Sequence, residues 1–283
     1  MSERQRLGLG RSFGVMQGRL SPQDPRGYQT FPSSSWREEF SLARDLGFDH
    51  IEWVVEEFDL HNNPVFTNPQ AIREQSTAHG IDVPSLCADY LMHSPLNPAN
   101  TESWVLFERL LNQAKGVGVR IVVVPCVDNS SLLRPENRRN LEQSLPRMLG
   151  MAEECSILIA LETDLRPTEF KKLLSKFPSP WLTVNYDSGN SASLGYDFLE
   201  EMEAYGERIS DFHLKDRALG GGTVELGTGA ANFSDIFAYL LEPAFKGIVT
   251  MQAKRDQLGP PSALQQFRWI QEMVLPPTVN LSR

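Results

Sequence analysis

Eight short apolar segments alternate along the chain with eight longer segments of helical periodicity, and no linker-like stretch interrupts the series. The strand-like segments are 10–17, 48–55, 81–88, 119–125, 156–162, 181–187, 209–217 and 247–254, and the helix-like segments are about 35–47, 68–79, 101–116, 135–154, 167–176, 195–206, 233–241 and 261–274. Strands that alternate with helices form a parallel sheet with right-handed crossovers, and eight repeats close into a barrel. The sequence therefore predicts an α/β fold, a (β/α)8 TIM barrel that forms a single domain over residues 1–283, with flexible ends at 1–9 and 276–283.

The rival arrangement is an open doubly wound sheet, which carries a glycine-rich phosphate loop after its first strand. Gly14, Gly18 and Gly27 do not have the spacing of such a loop. A local signal also supports the first helix, because Ser35 and Glu38 have the spacing of a capping box. The barrel is therefore the favoured prediction.

Composition and charge exclude several classes of partner. The 283 residues include 27 basic and 36 acidic ones, for a net charge of −9, and no run of Lys or Arg marks a surface for phosphate backbones. We therefore expect no nucleic-acid partner. The most apolar run, residues 121–127, is too short to cross a bilayer, and the N-terminal residues lack an apolar signal segment. We expect a cytoplasmic protein that does not bind membranes.

The cysteines predict reduced thiols in the core. Cys87, Cys126 and Cys155 are odd in number, widely spaced and embedded in apolar segments. A catalytic cysteine is the alternative, but no histidine or other base can be placed beside any of the three from the sequence.

Most of the aromatic and histidine side chains are predicted to have structural roles. Trp36, Trp53 and Phe66 are predicted to pack in the core or at the subunit contacts of a homo-oligomer. The remaining histidines follow no metal-ligand pattern and are predicted to be surface or loop residues: His50, His61, His79 and His93.

Four successive strands end in a side chain that can bind a cation. On the strand at 209–217 alternate residues face opposite sides, so His213 points away from Phe212 and Leu214, a pattern that a solvated surface strand also shows. The neighbouring strands place their own ligands at the same end, which in a barrel forms the active site. The predicted metal ligands are Glu162, Asp187, His213 and Gln252. Carboxylate, imidazole and amide groups suit a divalent ion, with Mn, Mg, Co and Zn as candidates.

Polar residues on the first two strands are further candidates. Glu52 faces inward, and because a buried carboxylate needs a partner it is either a site residue or paired with Arg or Lys. Gln17 and Arg19 flank Gly18 after the first strand and are either substrate contacts or parts of a turn.

The segment after the seventh strand could recognise phosphate. Lys215 and Arg217 could neutralise a substrate phosphate, and the glycines of residues 220–229 could donate backbone N–H groups to it. The alternative is a flexible loop whose glycines serve only the turn.

Five motifs follow one another along the chain: Val-Met-Gln-Gly-Arg-Leu-Ser-Pro (15–22), Leu-Glu-Thr-Asp (161–164), Asn-Tyr-Asp-Ser-Gly-Asn (185–190), His-Leu-Lys-Asp-Arg (213–217) and Leu-Gly-Thr-Gly (226–229). Together they resemble the xylose isomerase-like TIM barrels, and within them the sugar phosphate isomerase/epimerase family. The resemblance spans nearly the whole chain. It is specific for the superfamily and much less specific for a substrate.

The resemblance implies one divalent ion, with manganese preferred, held by a glutamate, an aspartate, a histidine and a second glutamate. The first three positions fall on Glu162, Asp187 and His213, and Gln252 replaces the second glutamate. Two further substrate-contacting positions of the family fall on Asn190, where a histidine is common, and Arg217.

These residues predict a metal-dependent isomerase or epimerase of a sugar, sugar phosphate or related polyol, an enzyme of carbohydrate metabolism. The ion would stabilise an enediolate while Glu162 moves the proton, with Gln252 as the second catalytic position. Because an amide does not exchange protons near neutral pH, aldose–ketose isomerisation is favoured over epimerisation unless Glu52, Asp89 or Lys215 supplies the opposite face. Dehydration of a cyclic polyol is a variant of the same chemistry.

Two other functions stay open. A sugar-binding barrel that has lost its chemistry is one, since Gln252 replaces a carboxylate. A phosphodiesterase of the AP endonuclease type is the other, but such enzymes need many histidine ligands and bind an acidic polymer, which this acidic chain disfavours.

Overall fold

The structure of the protein, a computed structural model, describes residues 12–274. The strands within that range are β1 (Phe13–Met16), β2 (His50–Val54), β3 (Ser85–Cys87), β4 (Ile121–Cys126), β5 (Leu158–Thr163), β6 (Leu182–Asp187), β7 (Ile209–Leu214), β8 (Asp216–Arg217), β9 (Thr223–Val224) and β10 (Ile248–Met251). All except β8 and β9 join in a closed parallel barrel in the order β1–β10–β7–β6–β5–β4–β3–β2. The predicted TIM barrel is confirmed, while the predicted flexible ends at 1–9 and 276–283 lie outside the described residues.

Helices connect the barrel strands and cover the outside of the sheet. They are α1 (Trp36–Leu46), α2 (Pro64–Thr67), α3 (Pro69–His79), α4 (Thr101–Val117), α5 (Pro135–Cys155), α6 (Pro167–Lys176), α7 (Ser188–Leu194), α8 (Phe198–Tyr205), α9 (Phe233–Leu241) and α10 (Pro260–Val274). In the described part of the chain no helix is both long and apolar enough to span a membrane.

Side chains at the helix starts explain several of these boundaries. Asn68 and Asn100 accept a hydrogen bond from the third backbone N–H after them, which satisfies a donor that the helix leaves free. The predicted capping box at Ser35 is wrong. Its hydroxyl lies 2.8 Å from Ser21 Oγ instead, so it ties the first loop to the start of α1.

The segment after β6 differs from the prediction. A single helix over 195–206 was predicted, but Gly195 ends α7 in the left-handed conformation (φ +72°) and α8 begins three residues later. Helix α7 starts directly after Asp187, whose side chain accepts from the backbone N–H of Asn190. This junction holds Asp187 at the mouth of the barrel.

Two layers of packing enclose the strands. Outward-facing side chains pack against the helices, and Trp53 stacks edge-on against Trp36 at a ring distance of 5.4 Å. Trp36, Trp53 and Phe66 are all buried, as the packing interpretation predicts. The inward-facing apolar residues form a separate cluster of Met16, Val54, Cys87, Ile121, Val123 and Ala160. Cys87, Cys126 and Cys155 are buried free thiols, as predicted.

His50 lies inside the barrel, so its assignment to the surface is wrong. It precedes Glu52 by two residues on β2 and shares its inward face. Its Nε2 lies 3.1 Å from Thr250 Oγ1, and Gly14 leaves room for the ring because a Cβ there would overlap it. Burial lowers the pKa of His50 to about 3, so the ring is neutral. His61 and His93 are exposed and His79 is partly exposed, as predicted.

Candidate active site

Three predicted metal ligands converge where β5, β6 and β7 end. Glu162, Asp187 and His213 are buried, and one ligand atom from each lies within 4.8 Å of the others. The pairing of β6 with β7 shifts register after Val184, so that Asp187 lies directly opposite His213. The irregularity thus aligns two of the three groups across neighbouring strands.

His213 has different partners on its two ring nitrogens. Its Nδ1 faces the mouth of the barrel and lies 3.7 Å from Glu162 Oε2. Its Nε2 lies 2.9 Å from Glu52 Oε1, but the angle of this contact is outside hydrogen-bond geometry. Glu52 is held in turn by the hydroxyl of Ser85 at 2.8 Å. The buried Glu52 therefore lies against a histidine, and not against Arg or Lys, which was one of the two alternatives for this residue. Burial raises its pKa to about 7.

Two asparagines hold the carboxylate of Glu162. Asn185 Nδ2 donates to Oε2 at 2.8 Å, and Asn190 Nδ2 donates to Oε1 at 2.6 Å. The oxygen of Asn190 accepts from Arg217 at 2.9 Å and from Lys215 at 3.3 Å. Four residues of the predicted site thus form one hydrogen-bond network.

Charges in this network shift the pKa of its members. Burial, followed by the charge of Asp187, raises the pKa of Glu162 above its ordinary value. Lys215 lies 3.1 Å from Asp187. Burial lowers the pKa of Lys215, but the charges of Asp187 and Glu162 outweigh that effect and raise it overall. The lysine is therefore a cation at neutral pH.

The donor set fits a divalent cation. Within 12–274 the buried Oε1 of Gln252 has no hydrogen-bond partner, and neither has Oδ1 of Asn185. Leaving a buried amide oxygen without a donor costs about 1–3 kcal/mol, which coordination of a cation would offset. Two carboxylates, an imidazole and an amide oxygen are a ligand set that borderline divalent ions accept.

A cavity of about 290 Å³ opens above these ligands. It is lined by Glu162, Asn190, Lys215, Arg217 and Gln252, together with Tyr28, Gln29, Cys87, Asp89, Met92, Pro125, Val127, Asp128, Gly222 and Thr223. Asp187 and His213 lie beneath it. Of the other predicted substrate contacts, Glu52 is fully buried under His213, and Gln17 accepts a hydrogen bond from the backbone of Val54 outside the cavity lining.

Arg19 lies behind the cavity wall. Its guanidinium donates to Gln29 at 2.7 Å and lies over the ring of Tyr28, and both of these residues line the cavity. The guanidinium of Arg255, after β10, donates to the carbonyl oxygens of Pro22, Tyr28 and Thr30. Two arginines thus fix the loop after β1 against the rest of the barrel.

A family model described as a xylose isomerase-like TIM barrel matches residues 40–273. The chain belongs to this family. L-ribulose-5-phosphate 3-epimerase UlaE of Escherichia coli O1:K1 / APEC is 25% identical over 261 residues, which cover 86% of this chain and 92% of the relative. A xylose isomerase domain protein from Planctomyces limnophilus has a TM-score of 0.71 at 17% identity, with 93% of this chain and 96% of that chain covered. The IolI protein, solved with a zinc atom, has a TM-score of 0.71 at 18% identity, with 93% and 97% covered.

The family match confirms the resemblance that the five sequence motifs carry. The predicted enzyme class, an isomerase or epimerase, is confirmed by the epimerases among its relatives. The individual roles of the site residues stay predictions, since the family match does not test them.

The glycine-rich loop of this xylose isomerase-like barrel is anchored by Asp216. Its carboxylate accepts from the backbone N–H groups of Gly227, Gly229 and Ala231 at 2.7–3.1 Å. These N–H groups are already paired and are not directed at a substrate. Of the two interpretations of the loop, the structure favours a structural role for these glycines, while Gly222 remains at the cavity wall.

Replacing Asp216 with asparagine should destabilise the fold by about 1–3 kcal/mol, because the amide NH2 group would face backbone donors that now share a carboxylate. Urea unfolding checks this. Glu225→Gln, an exposed change in the same loop, should stay within about 0.5 kcal/mol of wild type. Equal stability of Asp216→Asn and wild type would contradict the anchoring role.

Several residues at or next to the cavity were not predicted as part of the site. Asn185 shares the inward face of β6 with Asp187, so strand parity alone could have identified it. Tyr28 and Gln29 reach the cavity from the loop after β1, and Met92 reaches it from a 3-10 helix after β3. Their positions depend on tertiary contacts that leave no periodic signal in the sequence.

Proposed function

We propose that this chain is a divalent-metal-dependent epimerase or isomerase of a ketose, ketose phosphate or related polyol, acting through an enediolate. The observation that carries the proposal is the position of Glu162, a buried carboxylate that lines the cavity beside Asp187 and His213. The amide oxygen of Gln252 is at the same cavity and has no hydrogen-bond partner within residues 12–274. The similarity to an L-ribulose-5-phosphate 3-epimerase supports epimerisation of a ketose phosphate.

Glu162, Asp187 and His213 would hold the ion, with the side-chain oxygen of Gln252 as a fourth ligand. Such an ion, when bound, polarises a carbonyl group and stabilises the negative charge of an enediolate. Manganese is the expected metal from the sequence resemblance. A zinc atom and magnesium occur in solved structures of similar fold, so these ions belong in the test.

Glu162 is the proposed base. Its raised pKa makes it a stronger proton acceptor than an exposed carboxylate, and the two asparagine N–H groups fix its orientation. Arg217 and Lys215 add positive charge on the β7 side of the cavity, where the substrate oxygens or a phosphate would lie.

Removal of Asp187 should remove the ion. Asp187→Ala takes away a buried ligand, so purified protein incubated with Mn²⁺ should lose its one equivalent of metal by elemental analysis while the circular dichroism spectrum is kept. Asp197→Ala is the matched control, since both aspartates accept from a backbone N–H at a helix start. The control loses the same kind of helix-capping hydrogen bond, which contributes about 1 kcal/mol to stability, but it should keep the metal. Full metal content in Asp187→Ala would overturn the ligand assignment.

Solvent exchange tests the function itself. Metal-stripped protein, reloaded with Mn²⁺, Mg²⁺, Co²⁺ or Zn²⁺, would be incubated in D2O with L-ribulose 5-phosphate, L-ribulose, D-tagatose or D-allulose. We expect metal-dependent deuterium at the carbon next to the carbonyl and formation of an epimer or an aldose, both followed by NMR. If a ketose and a metal bind but neither exchange nor product is seen, the chain is a sugar-binding barrel and the proposal is wrong.

A further inference from the structure

Inversion of a carbon needs two proton-exchanging groups, and the predicted second position cannot be one of them. Gln252 lines the cavity, but a side-chain amide neither takes up nor releases a proton near neutral pH. If the chain is an epimerase, another residue must protonate the second face of the enediolate. Glu52, Asp89 and Lys215 are the candidates that the sequence leaves open.

The structure disfavours two of these three. Glu52 has no exposed surface and lies beneath His213, where a substrate in the cavity does not reach it. Lys215 lines the cavity, but its ammonium group is hydrogen-bonded to Asp187 and Asn190. Lys215 also belongs to the same hydrogen-bond network as Glu162, because Asn190 contacts both side chains.

Asp89 has the geometry of an acid–base group. It follows β3, lines the same cavity as Glu162 and is 6% exposed. One carboxylate oxygen, Oδ1, accepts from the thiol of Cys87 at 3.1 Å, which fixes the orientation of the side chain. The other, Oδ2, is buried and has no hydrogen-bond partner among residues 12–274. Burial raises the pKa of Asp89, which favours the protonated form that an acid needs.

Asp89 and Glu162 reach the cavity from strands that are two positions apart in the barrel. Asp89 follows β3 and Glu162 lies near the end of β5, with β4 between these two strands in the barrel. The two carboxyl groups are close enough for their charges to interact. A sugar that stands between them would meet one group on each side.

We propose that Asp89 is the second acid–base residue of this barrel and protonates the face of the enediolate opposite to Glu162. This inference rests on the proposed function. On this proposal the chain is an epimerase, and a carboxyl group after β3 supplies the proton that the amide of Gln252 cannot supply.

The proton balance is simple. Ionised Glu162 removes the proton from the carbon next to the carbonyl, the C–H electron pair becomes the C=C bond, and the carbonyl oxygen takes the negative charge. Protonated Asp89 then gives its proton to the same carbon from the other face, the C=C pair forms the new C–H bond, and the carbonyl re-forms. Glu162 ends protonated and Asp89 ionised, and exchange with solvent resets both.

The test compares the two 3-epimers of one ketose, starting with L-ribulose 5-phosphate, on metal-loaded protein in D2O. Asp89→Asn, in which the amide oxygen can still accept from Cys87, should lower epimer formation by about 10²-fold or more. It should still label one of the two epimers with deuterium without inverting it. Glu162→Gln should label only the other epimer. Asp89→Ser is a second variant with the same expected labelling, and Gln252→Glu in the Asp89→Asn background should restore part of the inversion.

Asp164→Asn is the matched control, because Asp164 is also buried after a strand but accepts the backbone N–H of Leu132 outside the cavity lining. It should epimerise at nearly the wild-type rate. Wild-type epimerisation by Asp89→Asn, or an equal loss of labelling for both epimers, overturns the role of Asp89 while the function stands. Absence of both exchange and turnover in wild-type protein with every metal and ketose overturns the proposed function, and the inference with it.

Discussion

Replacing Glu162 with glutamine should lower kcat for the proposed reaction by about 10²–10⁴-fold, the usual contribution of a positioned general base. Glutamine keeps an oxygen at the proposed metal site, but it cannot take the proton from the substrate carbon. The glutamine keeps the size of the carboxylate between Asn185 and Asn190, which both donate to it in the wild type. Its NH2 group finds an acceptor when the Asn185 amide turns over, because Asn185 Oδ1 has no hydrogen-bond partner within residues 12–274. The loss should therefore fall on kcat more than on substrate affinity.

Steady-state kinetics on metal-loaded protein measures this loss, with metal content determined on the same samples. Glu201→Gln is the control, since Glu201 is also buried but lies outside the cavity lining. Its carboxylate accepts from the hydroxyl groups of Tyr186, Ser191 and Tyr205. Its kcat should stay near the wild-type value even if the fold is less stable. A kcat of Glu162→Gln within fivefold of wild type at full metal content would show that another group removes the proton.

Stability should fall in mild acid because of His50. Burial lowers the pKa of the His50 ring to about 3 in the folded state, from the ordinary value of 6.5 for an exposed ring. Below pH 6.5 the unfolded chain therefore binds a proton that the folded barrel does not, and each pH unit lowers the free energy of unfolding by about 1.4 kcal/mol. The contribution of the neutral His50 ring to the free energy of unfolding is fully present above pH 6.5 and is lost as the pH falls towards 3. It amounts to about 2 kcal/mol by pH 5 and at most about 5 kcal/mol.

Urea unfolding of wild type and His50→Gln at pH 7.5 and pH 5.0 isolates this contribution, because other titrating groups such as Glu39 and Glu52 are present in both proteins. Glutamine can still reach Thr250, the partner of His50 Nε2. The stability advantage of wild type over the variant should shrink by about 2 kcal/mol between the two pH values. His61→Gln, an exposed change, should show no such difference. An advantage that does not vary with pH would mean that His50 is charged or solvated in the folded protein.

The barrel and the candidate ligand set follow from short-range patterns in the sequence. Strand periodicity of two places Glu162, Asp187 and His213 on inward faces, and the rule that barrel sites lie at strand ends then brings them together. The errors have long-range causes. Ser35 was expected to cap α1, but its hydroxyl is taken by Ser21, fourteen residues away. His50 was assigned to the surface because it matches no ligand pattern, although its strand position alone predicts an inward ring.

Loop residues were the least predictable part of the site. Tyr28 and Gln29 line the cavity only because contacts with distant side chains place them there. The backbone donors of the glycine-rich loop were candidates for a phosphate, yet Asp216 uses several of them. In both cases the deciding partner lies elsewhere in the chain, and no local pattern in the sequence identifies it.

The contact of Arg255 with the loop after β1 limits how this barrel can be recombined with its relatives. The guanidinium joins the last barrel strand to carbonyl oxygens of Pro22, Tyr28 and Thr30, more than 200 residues earlier in the chain. A chimera that takes its first βα unit from another barrel but keeps Arg255 would bury a cation without its acceptors. When loops are exchanged to alter specificity, the first and last βα units should therefore come from the same parent protein. The crossover points then lie inside residues 36–247.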